Sequence, residues 1–94
     1  MIVEIADLWT SNESARAGLI DVIAERSHLV AEAEGNVAFA SWASIELPNH
    51  LVLIVTWVSL DAHEAFRSTE AFGAWVEALG PYLAGEPSVE HFVP

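Results

Sequence analysis

The run Leu51-Val-Leu-Ile-Val-Thr-Trp-Val-Ser-Leu60 leads straight into Asp61-Ala-His-Glu-Ala-Phe66, and the pair reads as a strand entering a helix. Eight of the ten residues from Leu51 to Leu60 are apolar. The β-branched set Val52, Ile54, Val55, Thr56 and Val58 favours extended backbone. Polar–apolar alternation fails, because Leu51, Leu53, Val55 and Trp57 point one way and Val52, Ile54 and Val58 the other. A strand apolar on both faces needs cover on both. In a chain of 94 residues, helices can cover one face, and the other then calls for a partner.

Working outward, Pro48-Asn49-His50 reads as a turn. It joins this strand to an earlier one, about Val37 to Glu46, as a hairpin. There Val37, Phe39, Ala43 and Ile45 share one face, with Trp42, Ser44 and Glu46 on the other. Upstream, residues 2–10 suit a strand on which Val3, Ile5 and Trp9 share a face with Asp7. Ser11-Asn-Glu-Ser14 supplies side-chain oxygens to start a helix. That helix extends to about Glu34, with Ala15, Leu19, Val22, Ile23, Leu29, Val30 and Ala33 at spacings of three and four. Gly35-Asn36 stops it. After Leu60, Ser59 or Asp61 opens a second helix. Ala62, Ala65, Phe66, Thr69, Phe72, Val76, Leu79 and Leu83 keep its spacing, and Ser68-Thr69 marks a point of interruption. Gly80-Pro81 breaks it, and Ser88 to Val93 forms a last short strand. The order βαββαβ is the ferredoxin-like α+β arrangement, an antiparallel sheet with both helices on one face. It fits one domain over residues 1–94. The bare face of two such sheets can close into a dimeric α+β barrel, so a homodimer is expected.

Composition narrows the function. Fourteen acidic residues against three arginines give a net charge of −11, which repels phosphate backbones and anionic lipid surfaces. No nucleic acid and no membrane partner is expected. There is no cysteine, hence no disulfide framework and no thiolate chemistry. No apolar run approaches the ~18 residues of a membrane span. The start Met-Ile-Val-Glu lacks the basic region of a signal peptide, so a cytoplasmic location is expected by default. The hydrophobic fraction of 53% is high for so small a chain and asks for a ligand cavity or an oligomer interface.

Three stretches carry a resemblance: Val55-Thr-Trp57-Val-Ser59-Leu-Asp-Ala62, then Ser68-Thr-Glu-Ala-Phe72, then Leu79-Gly-Pro-Tyr-Leu-Ala-Gly-Glu-Pro87. With these, nearly the whole chain resembles the antibiotic biosynthesis monooxygenase domain, a dimeric α+β barrel. The resemblance implies a cofactor-independent monooxygenase of aromatic polyketide or related metabolism. Such an enzyme oxidises a phenolic or anthrone-type small molecule with dioxygen to a quinone. In the anthrone-oxidising members a Trp at the end of the central strand matches Trp57. Their Tyr six residues on falls on His63, their Asn four residues before the Trp on Leu53, and their later helical Arg near Glu77. In the haem-degrading branch the helical Trp falls on Phe66, the haem-ligating His on about Val76, and the first-strand Asn near Ala6 or Asp7. The resemblance therefore points away from haem, and no cofactor is expected.

Such chemistry needs a dry aromatic pocket, one acid or base, and a donor for a developing oxyanion. His63, in the first turn of its helix just past Trp57, is the first candidate base; a solvated His paired with Glu64 and Arg67 is the alternative. Asp7, among apolar neighbours, is the acid to watch, because a buried carboxylate is costly unless paired. Trp57, His63 and Asp7 thus form the candidate catalytic set. Trp9, His28, Trp42, Phe66, Phe72 and Tyr82 are candidates to line a pocket between sheet and helices, although each aromatic is equally suited to plain packing. His28 suits a helix C-terminal cation as well. His50 reads as a solvated turn residue, and His91 shares a face with Val89 and Val93. Arg67 is suited to hold an acidic substrate group or to pair with Glu64 or Glu70, and the ion pair is the expected role. The histidines show no metal-ligand spacing, and no phosphate loop or nucleophile motif occurs. Two other functions suit the same scaffold: an acid–base isomerase or cyclase using Asp7 with His63 or His28, and a non-catalytic binder of small molecules.

Overall fold

The computed structural model describes residues 1–94. Its elements are β1 (Ile2–Trp9), α1 (Glu13–Arg26), α2 (His28–Ala31), β2 (Asn36–Ala43), β3 (His50–Trp57), α3 (Leu60–Phe66), α4 (Glu70–Leu79) and β4 (Ser88–Phe92), with a 3-10 turn at Gly80–Tyr82 between the last two. The four strands form one antiparallel sheet in the order β2-β3-β1-β4. The ferredoxin-like α+β arrangement is therefore as the sequence predicts.

Strand β3 is central and alternates strictly in burial. Leu51, Leu53, Val55 and Trp57 are buried beneath the helices, while Val52, Ile54 and Thr56 are half-buried on the other face. Ladder register extends this division across the sheet. Ile2, Glu4, Ala6 and Leu8 of β1 lie opposite Trp57, Val55, Leu53 and Leu51, on the helix side. Val3, Ile5, Asp7 and Trp9 oppose Thr56, Ile54, Val52 and His50 on the open side. On β2, Phe39, Ser41 and Ala43 take the helix side, and Ala38, Ala40 and Trp42 the open side, after a bulge between Asn36 and Ala38. Leu19, Ile23 and Val30 from α1 and α2, with Phe66, Trp75 and Leu79 from α3 and α4, complete the core.

Helix starts follow the capping residues. The side chains of Asn12, Ser59 and Thr69 accept the N–H groups of Ala15, Ala62 and Phe72. The first helix does not run unbroken to Glu34. It stops at Arg26 and resumes at His28, and the His28 ring takes the Glu25 carbonyl that the next turn would use. The expected interruption at Ser68-Thr69 is present. It rotates the buried stripe, so Trp75 rather than Val76 faces the core and meets Phe39 edge-on at 5.9 Å.

Strand β2 ends at Ala43, three residues short of the expected Glu46. The Arg16 guanidinium donates to the carbonyls of Ser44, Leu47 and Pro48, and the Ser44 hydroxyl accepts the Leu47 N–H. These bonds hold residues 44–49 as a loop, and they turn Ile45 out to 92% exposure. Two glycines make close approaches. Gly18 lets the Tyr82 ring lie against α1, where a Cβ would collide with it. Gly35, at φ +84°, ends the helical segment, and a Cβ there would stand 2.6 Å from that of Ala62.

Candidate active site

The end of β3 delivers Trp57 to the sheet–helix interface, wholly buried. Two residues later Ser59 caps α3, so the first turn of that helix folds back over the indole. His63 lands on it: the rings stack at 5.0 Å with 18° between planes. Phe66, one turn on, packs on the other part of Trp57 at 5.4 Å, and Phe72 meets Phe66 edge-on at 5.6 Å. His63 is 5% exposed.

A carboxylate from β1 joins this stack. Glu4 sits on the helix side of the sheet, and its Oε1 accepts the Trp57 Nε1–H at 2.9 Å and faces His63 Nε2 at 3.3 Å. From the edge strand, His91 lies opposite Glu4 in the ladder and turns the same way. Its Nε2 is 2.7 Å from His63 Nδ1. The sequence therefore meets in space as Trp57, Glu4, His63 and His91, from four different elements. Burial pushes the His63 imidazole below its ordinary pKa. Glu4 pulls it upward, His91 and Arg67 push it further down, and Glu64 opposes them. The net effect favours the neutral ring.

Asp7 is not part of this cluster. It stands on the open face of the sheet, where its Oδ1 bonds His50 Nε2 at 2.8 Å and Trp9 stacks on His50 at 4.2 Å. His50 is thus a half-buried strand residue rather than a solvated turn residue. Because successive side chains point to opposite faces, Asp7 and His63 are divided by the sheet itself. Trp9 and Trp42 share that open face, 43% and 63% exposed, and do not line a pocket under the helices. His28 is exposed and caps the end of α1 through Glu25, the helix-terminal role rather than the cavity role. Arg67 makes no ion pair; its guanidinium lies over the Phe72 ring at 5.9 Å. Tyr82 packs on Gly18. Leu53 is core, and Glu77 is exposed on α4.

Beside the cluster lies a groove of about 520 Å³ between the α2–β2 turn and the α3–α4 corner. Its wall includes Gly35, Ala62, Ala65, Phe66 and Ala71, so small side chains leave a slot against the face of Phe66. Asn36, which opposes Trp57 in the ladder, has its amide nitrogen buried without a hydrogen-bond partner.

The sequence alone does not single out Glu4 or Asn36 as site residues. Glu4 does carry a signal in the sequence. It alternates with Ile2, Ala6 and Leu8, an apolar set as convincing as Val3, Ile5 and Trp9, and a lone carboxylate in such a row has to be partnered.

A profile of the antibiotic biosynthesis monooxygenase family matches residues 1–78. The chain belongs to that family. Among solved structures, a Bordetella bronchiseptica protein provisionally assigned as an antibiotic biosynthesis monooxygenase is 30% identical, with a TM-score of 0.91 over 99% of this chain and 95% of that one. SnoaB, a cofactor-independent oxygenase from Streptomyces nogalater, superposes with a TM-score of 0.85 at 18% identity, covering 99% and 91% of the two chains. Rv0793 from Mycobacterium tuberculosis does so with 0.82 at 18% identity, covering 99% and 93%. No protein of curated function matches at the sequence level. This family member keeps the monooxygenase scaffold and carries a histidine–carboxylate cluster beside its buried Trp57. No helix is long and apolar enough to cross a membrane.

Proposed function

We propose that the protein is a cofactor-independent monooxygenase that oxidises a flat phenolic or anthrone-type molecule with dioxygen to a quinone, working as a homodimer. The observation that carries this is the buried, neutral His63 stacked on Trp57 and tied to Glu4. Family membership and the likeness in fold to SnoaB support it. An imidazole held below its ordinary pKa is unprotonated at neutral pH and can receive a proton within the cluster. The substrate anion gives one electron to dioxygen, and the resulting radical and superoxide combine as a peroxide. Loss of one water then leaves the quinone, so one dioxygen is consumed for each quinone and water formed. A substrate reaches the cluster from the exposed edge strand β4, beside His91.

Oxygen uptake with dithranol as the reduced anthrone tests the reading. Uptake above a no-protein control, matched one-to-one by quinone, is expected, together with a fall of about 10²-fold in kcat for His63→Ala at unchanged far-ultraviolet circular dichroism. Uptake at the control rate with dithranol and with simple phenols would remove the oxygenase. One further reading has an observation in its favour. The 2.7 Å His63–His91 contact joins an acid and a base in one pair, which suffices for an isomerase or cyclase. Substrate turnover that persists under argon would select it.

A further inference from the structure

We propose that His91 is the group that meets the substrate proton, that His63 relays it, and that Glu4 is the positioning residue fixing both His63 and Trp57. The inference rests on the acid–base reading of the cluster and names the atoms through which it acts. An ionised carboxylate only accepts hydrogen bonds. Glu4 Oε1 lies 3.3 Å from His63 Nε2, and this charge contact favours the neutral tautomer with its hydrogen on Nε2. Its lone pair is then on Nδ1, and that atom is already engaged, 2.7 Å from His91 Nε2. So His91 Nε2–H donates to His63 Nδ1, and neither nitrogen of His63 is free to touch a substrate. The free lone pair of the chain is His91 Nδ1, which makes no hydrogen bond within the protein. His91 stands on an exposed edge strand, where a ligand can reach it.

The transfer balances without any electron moving. A substrate O–H or C–H gives its proton to His91 Nδ1. The His91 Nε2 hydrogen passes to His63 Nδ1, and the His63 cation is stabilised by Glu4 at Nε2. The return path restores each hydrogen to its nitrogen. Glu4 and His91 are the partners in contact with His63; Glu64 and Arg67, from α3 and its end, complete the charges that face it. The same Glu4 oxygen holds the Trp57 indole, so one carboxylate sets the ring planes of both stacked residues.

The test uses 15N-histidine NMR on the whole protein, without substrate. The expected wild-type result is a neutral His63 protonated at Nε2 and a through-hydrogen-bond coupling between His91 Nε2 and His63 Nδ1. Glu4→Gln removes the attractive charge and moves the His63 titration to lower pH. His91→Gln removes a repulsive one and moves it to higher pH. Simple loosening of the site would move both toward the solution value, so opposite shifts separate positioning from damage. In turnover, His91→Gln lowers kcat about 10²-fold with KM little changed, and Glu4→Gln moves the acid limb of the pH profile down. A wild-type His63 carrying its hydrogen on Nδ1 overturns the proposal, as does a full-rate His91→Gln enzyme. The NMR result is independent of oxygen uptake, so a relay confirmed without uptake counts against the oxygenase alone.

Discussion

His63 is where one residue couples folding to pH. Burial holds its imidazole below the ordinary value, so between that lowered value and about 6.5 the unfolded chain binds a proton that the folded one does not. The contribution is complete above about pH 6.5 and is lost as pH falls through the window beneath it. Denaturant titrations from pH 5 to 7.5 should show stability rising with pH, with a slope from this one group of up to about 1.4 kcal/mol per pH unit. His63→Gln should remove that part of the slope while leaving the contributions of the other histidines. A variant with the wild-type slope would mean that His63 titrates in the folded protein as it does in the unfolded chain. Asp7 shows why the sequence alone does not single out the carboxylate beside His63. Both rows of β1 are apolar, so a period of two names two candidate acids and does not say which faces the helices. Register settles it: Glu4 lies opposite Val55, a buried residue of β3, and Asp7 opposite half-buried Val52.

At the scale of elements, the sequence reads well wherever a local rule has one solution. Capping chemistry at Asn12, Ser59 and Thr69 marks three helix starts, and the double-faced β3 places the sheet's centre. It reads poorly where a distant partner decides. Nothing near residue 44 says that β2 must stop, because the group that stops it is Arg16 on α1. The phase of α4 is lost for a related reason: one continuous helical period carried past Ser68-Thr69 picks Val76, and the break turns Trp75 inward. The Arg16 clamp can be tested directly. Arg16→Leu keeps the apolar stem and loses three hydrogen bonds to carbonyls of an exposed loop, for an expected cost of about 1–2 kcal/mol. Hydrogen exchange should quicken at the amides of residues 44–50, with the β1–β3 ladder unchanged. Uniform quickening across the sheet would show instead that the clamp supports the whole fold.

The whole molecule has two sides of unlike completeness. Helices bury one face of the sheet, and the other presents Val3, Ile5, Val52 and Ile54 half-buried, with Trp9, Trp42 and Phe92 more exposed still. Continuous apolar surface of this kind is rare on a monomer, and a second copy of the same sheet would cover it in a closed, symmetric way. The chain's charge of −11 works against that pairing, since two copies repel. The balance makes a prediction with two parts. Light scattering at micromolar concentration should give a dimer, and dissociation on dilution should be weaker at 0.5 M salt than at 0.05 M, because screening removes repulsion and leaves apolar contact intact. Trp42→Asp, on the open face and outside the histidine cluster, should give a folded monomer by adding a charge where the two sheets would meet. A wild-type monomer would leave the double-sided β3 without an explanation. A dimer that salt dissolves would place the contact on charged surface elsewhere.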